Sequence, residues 1–129
     1  MKLLLFLTLS LLMFKSTAQT IELAEMDINE EGYTLLDFGL IKAKKTTKRE
    51  LILINTGDKN LVISKLEEGC HCTSVKIKRK ILKPNERTKI HLKWRPIDNS
   101  EFNSSIMIHS NATDYPQLWI QIEGNVEED

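Results

Sequence analysis

The residues best suited to chemistry are Cys70-His71-Cys72, two thiols flanking an imidazole, with Thr73 directly after them. They are the chain's only cysteines, so an internal disulfide must join them to each other. In a regular strand, Cα atoms two residues apart stand about 6.6 Å apart, the upper edge of what a disulfide accepts, and the Cβ atoms exceed the roughly 3.8 Å a bridge prefers. A Cys70–Cys72 bridge therefore needs a bend, which Gly69 just before it would permit. So tight a ring is expected to be strained and easily reduced.

Four chemistries compete for the motif. The first is structural: two small, partly buried thiols, or a local staple where one strand ends and the next begins. The second is a redox-active dithiol, with Lys76 and Lys78 favouring thiolate if they share its face. The third is capture of a soft ion, copper(I) or zinc, on two thiolates. A closed zinc site wants four ligands, and His71 points away from both sulfurs if the backbone is extended. The other imidazoles, His91 and His109, alternate onto outer faces, with Met107 on the side of His109. A hairpin joining their strands would pair Trp94 with about Phe102 and His91 with about Ser105, leaving His109 about 13 Å along the strand from His91. The fourth is a Cys–His nucleophile, which requires hydrogen-bond contact that adjacent residues of an extended segment lack. No Gly-x-Ser-x-Gly, His-Glu-x-x-His or phosphate-binding loop is present. The sequence assigns no catalytic residue, and no cofactor beyond copper or zinc at Cys70, His71 and Cys72.

The elements that must position the motif read as strand after strand. Arg49 to Asn55 places Leu51 and Leu53 on one side and Ile52 and Ile54 on the other, apolar on both faces like a central strand. Leu61-Val62-Ile63 follows a loop dense in turn formers, and Val75 and Ile77 alternate with lysines as a half-buried strand. Lys83-Pro84-Asn85-Glu86 is a turn with φ pre-set by proline. Ile90, Leu92 and Trp94 form an inward row closed by Arg95-Pro96. Phe102, Ile106 and Ile108 form the next row, and Leu118, Ile120 and Ile122 the last. Upstream, Ile21 to Ile28 and Thr34 to Phe38 supply two more strands. No segment sustains a helical apolar period. Seven or eight short strands at such intervals predict an all-β, immunoglobulin-like antiparallel sandwich.

The ends set the compartment. Lys2, the apolar run Leu3 to Phe14 and the small residues Ser16-Thr17-Ala18 have the order of a cleavable signal peptide over residues 1–18. An apolar run of about 12 residues is too short to span a bilayer, which takes roughly 20. The expected organisation is that signal, one domain over residues 19–126, and an acidic tail over 127–129. Cleavage at Ala18-Gln19 leaves 111 residues with 16 basic and 18 acidic side chains. That balance argues against a nucleic-acid partner. The lysine clusters, Lys42 to Arg49 and Lys76 to Lys83, fit exposed strands kept soluble and unpaired. No second stretch is long and apolar enough to remain in a membrane.

Asp37-Phe38-Gly39, Asn55-Thr56-Gly57-Asp58, Leu61-Val62-Ile63, Cys70-His71-Cys72-Thr73, Pro84-Asn85-Glu86, Ser110-Asn111 and Gly124 follow one another in an order that resembles a known family. It is the bacterial exported family of unknown function with a Cys-Gly-Cys-Thr signature, common in Bacteroidetes and related to Hydin-type immunoglobulin-like domains. The resemblance covers nearly all of the chain after residue 18 and implies a fold and a compartment, the family having no settled activity. His71 stands where the family usually has glycine, and Asn85 replaces the glycine of a Pro-Gly-Glu turn. The expectation is a non-enzymatic module in the periplasm, on the cell surface or secreted, meeting an envelope or extracellular protein through an open sheet edge. The alternative is a thiol redox or metal-binding protein using Cys70 and Cys72.

Overall fold

The computed structural model describes residues 19–128; the expected signal peptide and Asp129 lie outside them. Among the described residues, nine strands form two facing sheets. The first has the order β1 (Ile21–Leu23), β3 (Thr47–Asn55), β7 (Arg87–Trp94), β5 (Thr73–Ile77). The second has the order β2 (Tyr33–Lys42), β9 (Gln117–Glu127), β8 (Asn103–Ser110), β4 (Leu61–Glu68), β6 (Ile81–Leu82). The first sheet is antiparallel throughout, whereas β2 and β9 pair in parallel and make the second sheet mixed. β9 runs through Glu127, which pairs with Lys42, so the sheet extends one residue into the expected tail.

Alternation builds the core. Leu53, Ile90, Leu92 and Trp94 from the first sheet meet Ile106, Ile108, Leu118, Ile120 and Ile122 from the second, all excluded from solvent. Each such side chain contributes roughly 1.5–3 kcal/mol by leaving water. Trp94 is fully buried and meets Phe38 edge-on, with ring centroids 5.3 Å apart. The space for Trp94 depends on Gly124, where a Cβ would stand 2.9 Å from the indole. Asn55, also fully buried, closes the far end: its amide donates to the Lys59 and Leu82 carbonyls at 2.8 and 2.9 Å. Its side-chain oxygen accepts from the Gly57 N–H. Asn85 adopts φ of 65° in the Lys83–Glu86 turn, the left-handed conformation that asparagine tolerates and its glycine counterpart would take freely.

Three sequence expectations change. Ile21 to Ile28 is a strand only through Leu23, because the chain turns at Glu25, which has φ of 63°. Phe102 is not in the inward row but 54% exposed, since pairing of β8 with β9 starts at Asn103 and Ser104 takes the inward place ahead of Ile106. No hairpin joins β7 and β8. They lie in different sheets, and residues 95–102 cross between them.

Candidate functional site

The Cys-His-Cys motif is itself a crossing between the sheets. β4 ends at Glu68; the next residue, Gly69, donates its N–H to the Ser105 carbonyl at 2.7 Å, and the chain enters the first sheet at Thr73. Between them, Cys70 and Cys72 are joined by a disulfide with Cα atoms 5.2 Å apart, inside the span a bridge accepts. The required bend is supplied by a turn in which the Thr73 N–H donates to the Cys70 carbonyl at 3.2 Å. Gly69 serves it differently than expected. Its φ is not left-handed, but a Cβ there would lie 2.5 Å from Ser105 Oγ and 2.7 Å from the Ser105 carbonyl oxygen. Glycine is needed for close backbone approach rather than for the bend.

Beneath the bridge, the buried Thr73 hydroxyl donates to Ser104 Oγ at 2.7 Å, and Cys70 Sγ lies 3.5 Å from both hydroxyl oxygens. The β7–β8 crossing also reaches the turn. It brings a Glu101 carboxylate oxygen and both sulfurs within 4.8 Å of one another. Asp98 holds this crossing, accepting from the Ser100 N–H at 2.9 Å and from the Ser100 hydroxyl. Those bonds, the hydroxyl first, keep the Asp98 carboxyl below its ordinary value of 3.8. His71 is exposed and stands outside the group formed by Cys70, Cys72 and Glu101.

The sheet edges differ in what they leave open. On β5 the first two outward donors are taken internally, Thr73 by the Cys70 carbonyl and Val75 by Glu68 Oε1 at 3.1 Å. On β1 the Ile21 N–H faces the Asp114 carboxylate at 3.3 Å, and β6 is two residues long. β2 is longer. Because Trp119 donates to the Gly32 carbonyl, the parallel ladder turns the main-chain groups of Thr34 and Leu36 toward β9 and those of Tyr33, Leu35 and Asp37 outward. Asn29 takes the groups of Tyr33, and those of Leu35 are left facing solvent. Leu35 and Leu40 are 49% and 63% exposed, and Tyr33, Trp119 and Met107 stand side by side on the sheet's outer face. An open hollow of about 620 Å³ adjoins Asp37, lined also by Phe102, Glu123 and Gly124.

Residues 30–125 match the family model described as HYDIN/CFA65/VesB-like, Ig-like domain. The chain belongs to this family. Among solved structures, the HYDIN/CFA65/VesB-like chain is similar to a protein of unknown function from Porphyromonas gingivalis W83, with 21% identity and a TM-score of 0.68. That match covers 85% of this chain and 49% of the other, so the chain spans about half the length of that protein. It is also similar to PapD-like domain 7 of human CEP192, with 14% identity, a TM-score of 0.60 and 91% and 92% of the two chains covered. The VesB protease of Vibrio cholerae matches at 9% identity and a TM-score of 0.56, over 69% of this chain and 30% of that one. At these identities the likeness is one of fold. No curated protein matches the chain.

The remaining sequence candidates are dispersed in this HYDIN/CFA65/VesB-like domain. His91 Nδ1 lies 3.2 Å from Glu50 on the first sheet, and His109 Nε2 lies 3.3 Å from Glu67 on the second. The Lys65 and His109 contacts, Lys65 first, hold the Glu67 carboxyl below its ordinary value. Lys76 is level with His91, about 13 Å along β5 from the bridge, so it is no thiolate partner. Glu101 and Ser104 were not legible as site residues. Their approach to the cysteines depends on residues 95–102 crossing between sheets, which no local pattern announces. Among the described residues, no helix is long and apolar enough to cross a membrane.

Proposed function

We propose that this HYDIN/CFA65/VesB-like domain is a non-enzymatic interaction module of the bacterial cell envelope that receives an extended partner segment along β2. The observation that carries this reading is the contrast among the edges. β1 and β5 spend outward donors on Asp114, Cys70 and Glu68, whereas Leu35 keeps an outward N–H and C=O between exposed apolar side chains. Main-chain pairing would supply affinity, and Tyr33, Leu35 and Trp119 would choose among partner side chains. Export is supported by the pattern of Met1 to Ala18, and membership of the bacterial branch fits the likeness to a Porphyromonas gingivalis protein.

The test places a photo-crosslinking residue at Leu40 on β2 or at Lys76 on β5, in the chain expressed in its source cells. Adducts should form from Leu40 and not from Lys76, and should disappear when Leu35→Pro removes the outward donor. Equal labelling from both edges, or labelling indifferent to the proline, overturns the docking mode. Intact-mass analysis of the recovered protein checks export: cleavage after Ala18 is expected, and a retained Met1-to-Ala18 segment contradicts it.

A further inference from the structure

We infer that the crossover end of the sandwich is a redox-gated zinc site, closed while Cys70 and Cys72 are bridged and assembled from Cys70, Cys72 and Glu101 when they are reduced. The inference is independent of docking at β2. Its basis is the convergence of two crossings that the fold brings to the same end. The β4–β5 crossing carries both sulfurs, the β7–β8 crossing carries Glu101, and the three ligand atoms lie within 4.8 Å of one another. In the bridged state the sulfurs hold each other. Reduced, they need separate only to about 3.8 Å, the spacing that two zinc–sulfur bonds of 2.3 Å subtend in a tetrahedron. The turn already holds their Cα atoms 5.2 Å apart, so side-chain rotation can supply that movement without remaking the backbone.

The donor set decides among ions. Two thiolates alone would suit copper(I), which favours soft ligands. A carboxylate oxygen beside them shifts the preference to zinc, which accepts sulfur and oxygen together and whose fourth position would here stay open to water. The Ser104 hydroxyl, which accepts from Thr73 and keeps its own proton, lies 3.5 Å from Cys70 Sγ and forms a buried outer shell able to donate to a thiolate. His71 is outside the set, so its replacement of a smaller residue is not what makes the site.

The gating step balances with a dithiol reductant. One of its thiolates attacks a sulfur of the bridge, and its second thiol resolves the mixed disulfide. The reductant leaves as its own disulfide, and Cys70 and Cys72 each gain one proton. Binding zinc then forms two sulfur–metal bonds and releases those two protons.

The experiment uses the chain from Gln19 onward, reduced with a phosphine under anaerobic conditions, freed of reductant and titrated with zinc against a chromophoric chelator. Cobalt(II) serves as a second probe through its thiolate charge-transfer absorption. The expected results are one equivalent of zinc bound by the reduced protein and none competitive with the chelator in the oxidised protein. Glu101→Gln, a change in a surface crossing, should weaken binding at least about tenfold, the scale on which even outer-shell partners act. Cys70→Ser/Cys72→Ser should abolish both zinc binding and the cobalt band, with circular dichroism checking the fold. Failure of the reduced protein to bind, equal binding by the oxidised protein, or unchanged affinity in Glu101→Gln each overturns the proposal.

Discussion

Asn55 shows how much one buried polar side chain can organise. It ends β3 and ties together the Asn55–Asn60 loop and the short β6 through three side-chain hydrogen bonds. Asn55→Ala would leave the buried Leu82 carbonyl without that partner, and we expect a loss of about 1–3 kcal/mol in urea unfolding. Gly124→Ala acts through volume instead. Its methyl would strike the buried indole of Trp94, costing about 1–3 kcal/mol and changing the near-ultraviolet circular dichroism of that side chain. Asp98 gives the pH signature. Its carboxyl titrates below 3.8 in the folded protein because the Ser100 hydroxyl and N–H favour the charged form. Its contribution to stability is therefore present above about pH 4 and fades as pH falls through the lowered folded value. An NMR titration of the Asp98 carboxyl checks this: a midpoint at or above 3.8 contradicts it, and Ser100→Ala should raise the midpoint.

At the scale of elements, the parallel register of β2 and β9 makes a sharp prediction. The N–H of Leu35 faces outward and that of Leu36 faces β9, so prolines at the two neighbours should differ widely. Leu35→Pro should cost under about 1 kcal/mol, as at a sheet edge. Leu36→Pro removes a ladder bond and should cost about 3 kcal/mol or more, measured by thermal or denaturant unfolding. The strands themselves were legible because alternation is local: Ile90, Leu92 and Trp94, or Leu118, Ile120 and Ile122, declare their faces by type and parity. Their partners were not. Whether β7 turns back on itself or crosses to the other sheet depends on which distant strands already flank it, and β3 and β5 occupy both its sides. Phe102 was misplaced for the same reason, as parity alone carried the inward row past the point where pairing begins. The bend at Cys70–Cys72 was legible from spacing, whereas the true use of Gly69 needed the position of Ser105.

For the whole molecule, the two crossings at one end couple thiol chemistry to a fold that does not depend on it. The bridge closes a loop of only three residues, so loop-closure entropy predicts that reducing it costs about 1–2 kcal/mol. Reduced and oxidised proteins should both unfold cooperatively, with unfolding free energies that differ by no more than that amount. The core residues of both sheets, rather than the sulfurs, carry the stability. The parallel pair has a consequence of another kind, for the order in which the chain is born. β2 lies near the beginning of the described fold, and among the described residues its one neighbour in the sheet is β9, far along the chain. A nascent chain can therefore present Tyr33–Lys42 throughout the synthesis of the strands between, before Gln117–Glu127 arrives to cover one side. β9 completes the sheet, and until it emerges, the domain is an unfinished polypeptide that a holding chaperone, or passage through a pore in extended form, would find open.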